Sequence, residues 1–254
     1  MAFVFVVVSR KGGVGKSTIT VNFCATMAEV LAPDEIEITP AGTKRLAPVA
    51  AVSVDPQGST AWWADRVGDN LPFVFAEAYD DLDDLKRLRE ATAVDYVVVD
   101  TPGWYPPEAR DDNSGDPIGE GRGPDAIRAA LDNADHVIVP IETEPMSWEP
   151  TVRTIEDVIK PRGLPYTVVV SNWDPRDGEA DRDDTKKFAR SNGWPVAKTV
   201  IRHYKLHAKA GAVGQVVTQY PKSRIAQECL QDFTNLALEM QMRTANDRRN
   251  GAER

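Results

Sequence analysis

Five short apolar runs constrain this chain more than any other feature. Residues 4–8, 49–54, 96–99, 136–141 and 167–170 are rich in Val and Ile, and each pair is separated by enough residues for a helix. Runs that stay apolar instead of alternating with polar residues belong to strands covered on both faces. Strands of that kind, spaced by helices, predict an α/β fold: a doubly wound, mostly parallel sheet flanked by helices. Two helical stripes support it, one through Ile19, Phe23, Met27 and Val30, the other through Ile225, Cys229, Phe233, Leu236 and Met240.

With 254 residues, 42% of them hydrophobic, the chain is long enough for one large core, so residues 1–243 are expected to form a single domain. The polar end, residues 244–254, is expected to be a disordered tail. Two connections, 32–47 and 104–124, exceed what such a fold needs; the second is full of Pro, Gly, Asp and Asn and reads either as a solvated loop or as one that remodels a partner face. No apolar stretch approaches the roughly 20 residues that cross a bilayer, and the first residues lack a basic leader and cleavage site, so a cytoplasmic protein is expected. Cys24 and Cys229 match no metal spacing and read as buried thiols.

The net charge of −9 conceals an asymmetry. Between residues 185 and 227 there is no Asp or Glu, while Lys186, Lys187, Arg190, Lys198, Arg202, Lys205, Lys209, Lys222 and Arg224 all fall there. One basic face on an acidic body is expected, either a binding surface or an ordinary solvated one.

The clearest chemistry lies in "SRKGGVGKST", residues 9–18, directly after the first run and before the first helical stripe. That is the setting in which G-x-x-x-x-G-K-[ST] cradles phosphates, and only its first glycine is missing, with Arg10 in its place. Gly12, Gly13, Val14 and Gly15 turn backbone N–H groups inward, Lys16 supplies a charge for the β/γ oxygens, and Ser17 offers a hydroxyl to Mg²⁺. A magnesium nucleotide also needs a carboxylate at a strand end, and Asp100 in "DYVVVDTPG" supplies it. Asp55 in "VDPQGS" ends a second strand, either to orient an attacking water or reach the metal, or simply to make a turn.

These motifs, with "ADHVIVPIETEP" and the segment "IRHYKLHAKAGAVGQVVTQYPKSRIAQECL", resemble the ParA/MinD family of deviant Walker-A ATPases, and its ParA branch of DNA-partition proteins most. The resemblance implies ATP and Mg²⁺ as cofactors and an ATP-dependent homodimer in which Lys11 reaches the phosphates of the other subunit. A cation delivered in trans would stabilise charge on the transferred phosphoryl group and tie hydrolysis to dimerisation. By the same resemblance Lys16 and Asp55 are catalytic with Lys11, Asp100 holds Mg²⁺ through water, Thr18 touches the α-phosphate, and Asn172 meets the adenine or is merely a turn residue. It further implies nonspecific DNA binding through Lys205 and Arg224, with Arg202, Lys209 and Lys222 beside them, a ParB-type centromere-binding partner and association with the nucleoid. The family usually carries an Asp where this chain has Ser53.

Rival classes fit less well. A MinD-like membrane-cycling ATPase needs a basic amphipathic helix at its carboxyl end; residues 225–242 contain no Lys or Arg but do contain Glu228, Asp232 and Glu239, so no membrane partner is expected. A regulatory GTPase would follow "DTPG" with N-K-x-D, and the strand end here reads "SNWD".

Overall fold

The computed structural model describes residues 1–30, 48–104 and 116–252, with side chains to residue 245. Seven strands form its sheet: β1 (Phe3–Val7), β2 (Val49–Ser53), β3 (Val74–Glu77), β4 (Tyr96–Asp100), β5 (His136–Glu142), β6 (Tyr166–Trp173) and β7 (Val196–Arg202). Their order is β3-β2-β4-β1-β5-β6-β7, and every pairing is parallel. Eight helices connect or flank them: α1 (Lys16–Val30), α2 (Ser59–Val67), α3 (Leu82–Leu85), α4 (Arg122–Asp132), α5 (Trp148–Arg153), α6 (Ala180–Ser191), α7 (Lys205–Ala212) and α8 (Arg224–Ala252).

The uninterrupted apolarity of β1 has the expected cause. Phe3, Phe5 and Val7 point into a core shared with α1 and α8, while Val4, Val6 and Val8 point into a second core shared with α4 and the segment after α5. Both faces are dry, so both sets of alternating side chains are apolar.

Three expectations need correction. Helix α1 is buried nearly all round and not along one stripe, and its terminal Val30 is 43% exposed. Buried Asn22 uses that environment: its side-chain oxygen accepts from Val217 N–H at 2.8 Å and its amide donates to Thr18 O. Ile225, at the start of α8, is likewise exposed. Residues 244–252, expected as a disordered tail, continue α8 as helix. The two cysteines are buried free thiols. The connection 32–47 and most of 104–124 lie outside the described residues. No described helix is long and apolar enough to cross a membrane.

Strand order decides where chemistry can occur. β1 lies between β4 and β5, so the loop leaving β1 sits where the chain's connections diverge to opposite halves of the sheet. The carboxyl ends of β4 and β5 flank that loop, and β2 lies one strand further out.

Candidate functional site: a phosphate loop between carboxylate-ending strands

Residues 9–15 turn from β1 into α1 as the motif requires. Gly13 and Gly15 have φ of 81° and 84°, left-handed values that glycine adopts without steric cost. Arg10 does not have positive φ, so a side chain is tolerated where the usual motif has glycine. Its backbone is clamped on both sides: the N–H donates to Thr154 Oγ1 at 3.1 Å and the carbonyl accepts from Trp104 N–H at 3.1 Å. Thr154 opens a π-helical stretch, Thr154–Ile159, that continues α5. Gly103, of "DTPG", suits this close approach, because a Cβ there would lie 3.0 Å from Arg10 O and 3.2 Å from Gly12 N and would push the loop backbone by a few tenths of an ångström.

Lys16 is buried, and its ammonium donates to Lys11 O at 3.2 Å. Burial lowers its pKa, opposed by the nearby charges of Asp100 and Asp55. Val14 is buried beneath the loop, and its carbonyl accepts from Ser171 Oγ at 2.9 Å. Thr18 lies half-buried in the first turn of α1.

Asp100 pairs in register with Val7 on one side and Ser53 on the other. It is fully buried, and its Oδ2 accepts from Ser17 Oγ at 2.7 Å and Thr60 Oγ1 at 2.6 Å. Its Oδ1 is buried with no hydrogen-bond partner among the described residues. Burial pushes its pKa up to about 6, against the pull of Thr60, Ser17 and Lys16. An orphaned, hard carboxylate oxygen beside a helix-terminal hydroxyl fits the water shell of a magnesium ion, so the residues present suit that metal. Thr60 had not been singled out in the sequence; its position in "PQGST" gives no sign that it faces Asp100.

Asp55 does make the turn that the sequence left as an alternative: its Oδ1 accepts from Gln57 N–H at 2.9 Å, and Gly58 N–H donates to its carbonyl. The residue is half-buried and close enough to affect the charge state of Lys16 and Asp100. Ser53, where the resembling family has an Asp, is buried and accepts a weak 3.4 Å bond from Asp55 N–H.

Lys11 is not free in this single chain. Its ammonium donates to Glu142 Oε2, and the other oxygen of Glu142 accepts from Asn172 Nδ2 at 2.9 Å. Asn172 Nδ2 also donates to Gly13 O at 2.9 Å. The amide expected at an adenine therefore buttresses the loop in this conformation. Asn172 is the one non-glycine with positive φ among the described residues, at 55°, a strained geometry that often marks functional positions. Glu142 has no role assigned to it by the sequence motifs, although it ends β5 as Asp100 ends β4, and that shared position is the available signal.

The basic candidates separate into two kinds. Lys205 opens α7 and Arg224 opens α8; both are exposed and line one cavity of about 690 Å³ together with His203, Tyr204 and Ile225. Lys209 and Lys222 are exposed nearby in sequence. Arg202 is instead held by buried Asp232 at 2.6 Å and by Glu228 at 3.4 Å, and its hydrogen bonds to Asp232 raise its pKa. Arg224 also pairs with Glu228, at 2.9 Å. The window that is free of acids in sequence is thus not free of them in space. Glu228, Asp232 and Glu239 of α8 face it, and Glu239 accepts from the backbone N–H groups of Lys198 and Thr199.

The family model described as the CobQ/CobB/MinD/ParA nucleotide binding domain matches residues 5–217. The chain is 30% identical over 238 residues, 93% of each protein, to the Maintenance of carboxysome distribution protein A of Gloeobacter kilaueensis. Among solved structures it resembles the MinC:MinD cell division protein complex of Aquifex aeolicus, with TM-score 0.66 at 16% identity over 94% of this chain and 96% of that one. It also resembles the septum site-determining protein MinD of Pyrococcus horikoshii complexed with Mg-ADP, with TM-score 0.62 at 18% identity over 94% and 96%.

Proposed function

The chain belongs to the CobQ/CobB/MinD/ParA nucleotide-binding domain family, and from that premise we propose that it is a Mg²⁺-dependent ATPase that closes into a homodimer on ATP, binds DNA without sequence preference and distributes a cargo over it. One observation carries the reading: the loop holds two lysines with separate surroundings. Lys16 is buried within the cradle, whereas Lys11 leaves it and ends on Glu142 at the loop's edge.

In the proposed reaction Lys16 neutralises the β/γ oxygens of its own subunit's nucleotide, with Ser17 and Asp100 placed to hold the metal and its water. Magnesium, when bound, draws charge from the phosphate oxygens. Asp55 orients the attacking water, and Thr18 meets the α-phosphate. Lys11 leaves Glu142 and crosses to the partner's phosphates, so hydrolysis requires two copies. Asn172 would have to release Glu142 to reach the adenine. Lys205 and Arg224, with Lys209 and Lys222, contact DNA phosphates, while Arg202 organises that surface through Asp232 and Glu228.

Two cargoes follow from different observations. The motifs shared with partition proteins favour a replicon recruited by a ParB-type centromere-binding partner that stimulates hydrolysis. The 30% identity over nearly the whole length of a carboxysome distribution protein favours a protein compartment, and this is the stronger of the two because it spans both chains. A membrane-cycling role is less supported, since residues 225–242 offer no cation to anionic lipid and their acids are turned toward β7.

The test is hydrolysis per subunit against protein concentration, with duplex DNA present. The wild-type rate should rise as dimers form. Lys11→Ala should lose that rise and fall on the order of 100-fold, in the range measured for removal of one transition-state donor, with ATP still bound. An unchanged rate would remove the trans role. Co-sedimentation of the ATP-bound protein with anionic liposomes, and no binding to DNA at low salt, would replace the DNA reading with a membrane one.

A further inference from the structure

A second basic site lies apart from Lys205 and Arg224. The groove between α6 and β7, about 440 Å³, is lined by Trp173, Arg182, Lys186, Arg190, Lys198 and Arg202 among others. Its two carboxylates are already engaged, Asp183 by Arg182 and Asp232 by Arg202. Lys186, Arg190 and Lys198 have no carboxylate partner among the described residues; the ammonium of Lys186 donates only to Lys198 O, at 2.8 Å. Burial, and then the charges of Arg182 and Arg190, lower the Lys186 pKa despite Asp183 and Glu239. On a chain of net charge −9, three cations without an ion-pair partner among the described residues converge on one concavity.

Covering the sheet edge does not account for them. The exposed backbone of β7 is satisfied chiefly by α8, through Glu239 on Lys198 N–H and Thr199 N–H and Asp232 on Arg202 N–H. Nor does the groove suit a protein or a lipid surface. A protein interface centres on buried anchors and an amphipathic lipid contact inserts apolar ones, yet none of the exposed large hydrophobic residues lines the groove, and its Trp173 ring is covered by Arg182 at 4.9 Å. A sugar–phosphate backbone needs only cations. The groove is also continuous with the other basic surface: Arg202 pairs with Glu228, which pairs with Arg224, and Arg224 lines the neighbouring cavity with Lys205.

We propose that Lys186, Arg190 and Lys198 hold phosphates of a nucleic-acid backbone in the groove between α6 and β7, extending the surface that begins at Lys205 and Arg224. This rests on the DNA-binding reading above and adds to it a second set of contacts.

The experiment is fluorescence anisotropy of a labelled duplex of arbitrary sequence with ATP and Mg²⁺ across a salt series. For the triple variant Lys186→Gln/Arg190→Gln/Lys198→Gln, the slope of log K against log salt should become shallower by about 2.7, three phosphates at ~0.9 each, with low-salt affinity down at least about 10-fold. Arg190→Gln alone, an exposed site that leaves folding intact, should lower the slope by about 0.9. Unchanged slopes in both, while Lys205→Gln/Arg224→Gln weakens binding, would overturn the groove and leave the DNA reading standing. Wild-type protein that binds no duplex would overturn both. If the triple variant loses binding to phosphatidylglycerol vesicles and not to DNA, the groove takes lipid headgroups and the proposal fails.

Discussion

Replacing Asp100 by Asn should make the nucleotide-free protein more stable, by an amount that depends on pH. The carboxyl titrates near 6 in the fold, against an ordinary 3.8, chiefly because burial disfavours its charge. The folded state therefore holds this proton over a range in which the unfolded chain has lost it, and stability falls as pH rises from about 3.8 to about 6, then levels. At 1.36 kcal/mol per pH unit, the wild-type penalty reaches about 3 kcal/mol above pH 7 and is roughly half that at pH 5. Asn cannot ionise, and its carbonyl can still accept from Ser17 and Thr60. Any fixed cost of its amide, such as a donor left where Oδ1 has no partner, is the same at both pH values. The stability of Asp100→Asn relative to wild type should thus grow by about 1.4 kcal/mol from pH 5 to pH 7.5. Urea unfolding followed by tryptophan fluorescence, with EDTA and no nucleotide, measures this directly. A difference that stays flat with pH would mean that the carboxyl is not held by burial as described. The variant should also lose any Mg²⁺-dependent rise in thermal midpoint that wild type shows beyond nucleotide alone.

Three other substitutions test the loop and its surroundings. Gly103→Ala places a Cβ against the backbone of both Arg10 and Gly12 and should weaken ATP affinity at least about 10-fold, the cost of misplacing a phosphate cradle, as calorimetry would show. Asn172→Ala should be less stable than Asn172→Gly by about 1 kcal/mol, since both lose the bonds to Gly13 and Glu142 but only alanine resists left-handed φ; equal denaturation midpoints would refute the strain. Arg202→Ala strands buried Asp232 and should cost about 3–5 kcal/mol, largely recovered by adding Asp232→Asn. If the double variant regains thermal stability without regaining DNA affinity, the loss in Arg202→Ala comes from the missing guanidinium at that surface; affinity that returns with stability would mean that Arg202 acts through the fold alone.

Much of the site was legible because its determinants are local. The phosphate loop is a strand, a glycine turn and a helix start within residues 3–19, and glycine's conformational freedom works at the position where it occurs. Asp100 is legible because a carboxylate that closes an apolar run ends a strand at the edge where ligands bind, and Asp55 because it opens the turn just after such a run. Five strands were evident from their continuous apolarity. The missing pair, β3 and β7, are the two edges of the sheet: β3 is mostly exposed and β7 carries Lys198 and Arg202, so neither had to be apolar throughout.

By itself, then, the sequence determined the parallel α/β architecture, the glycine turn of the loop and the strand-end position of Asp100, because hydrophobic period and backbone conformation are properties of neighbouring residues. Tertiary structure alone decided how charges pair. Lys11 meets Glu142 across 131 positions, Asp100 meets Thr60 across 40, and Arg202 meets Asp232 across 30. Coulomb and hydrogen-bond energies act over a few ångströms of space, with no regard for distance along the chain. The same reason explains why an acid-free window became a surface partly neutralised by α8, and why Lys186, Arg190 and Lys198, which have no ion-pair partner among the described residues, share the groove between α6 and β7.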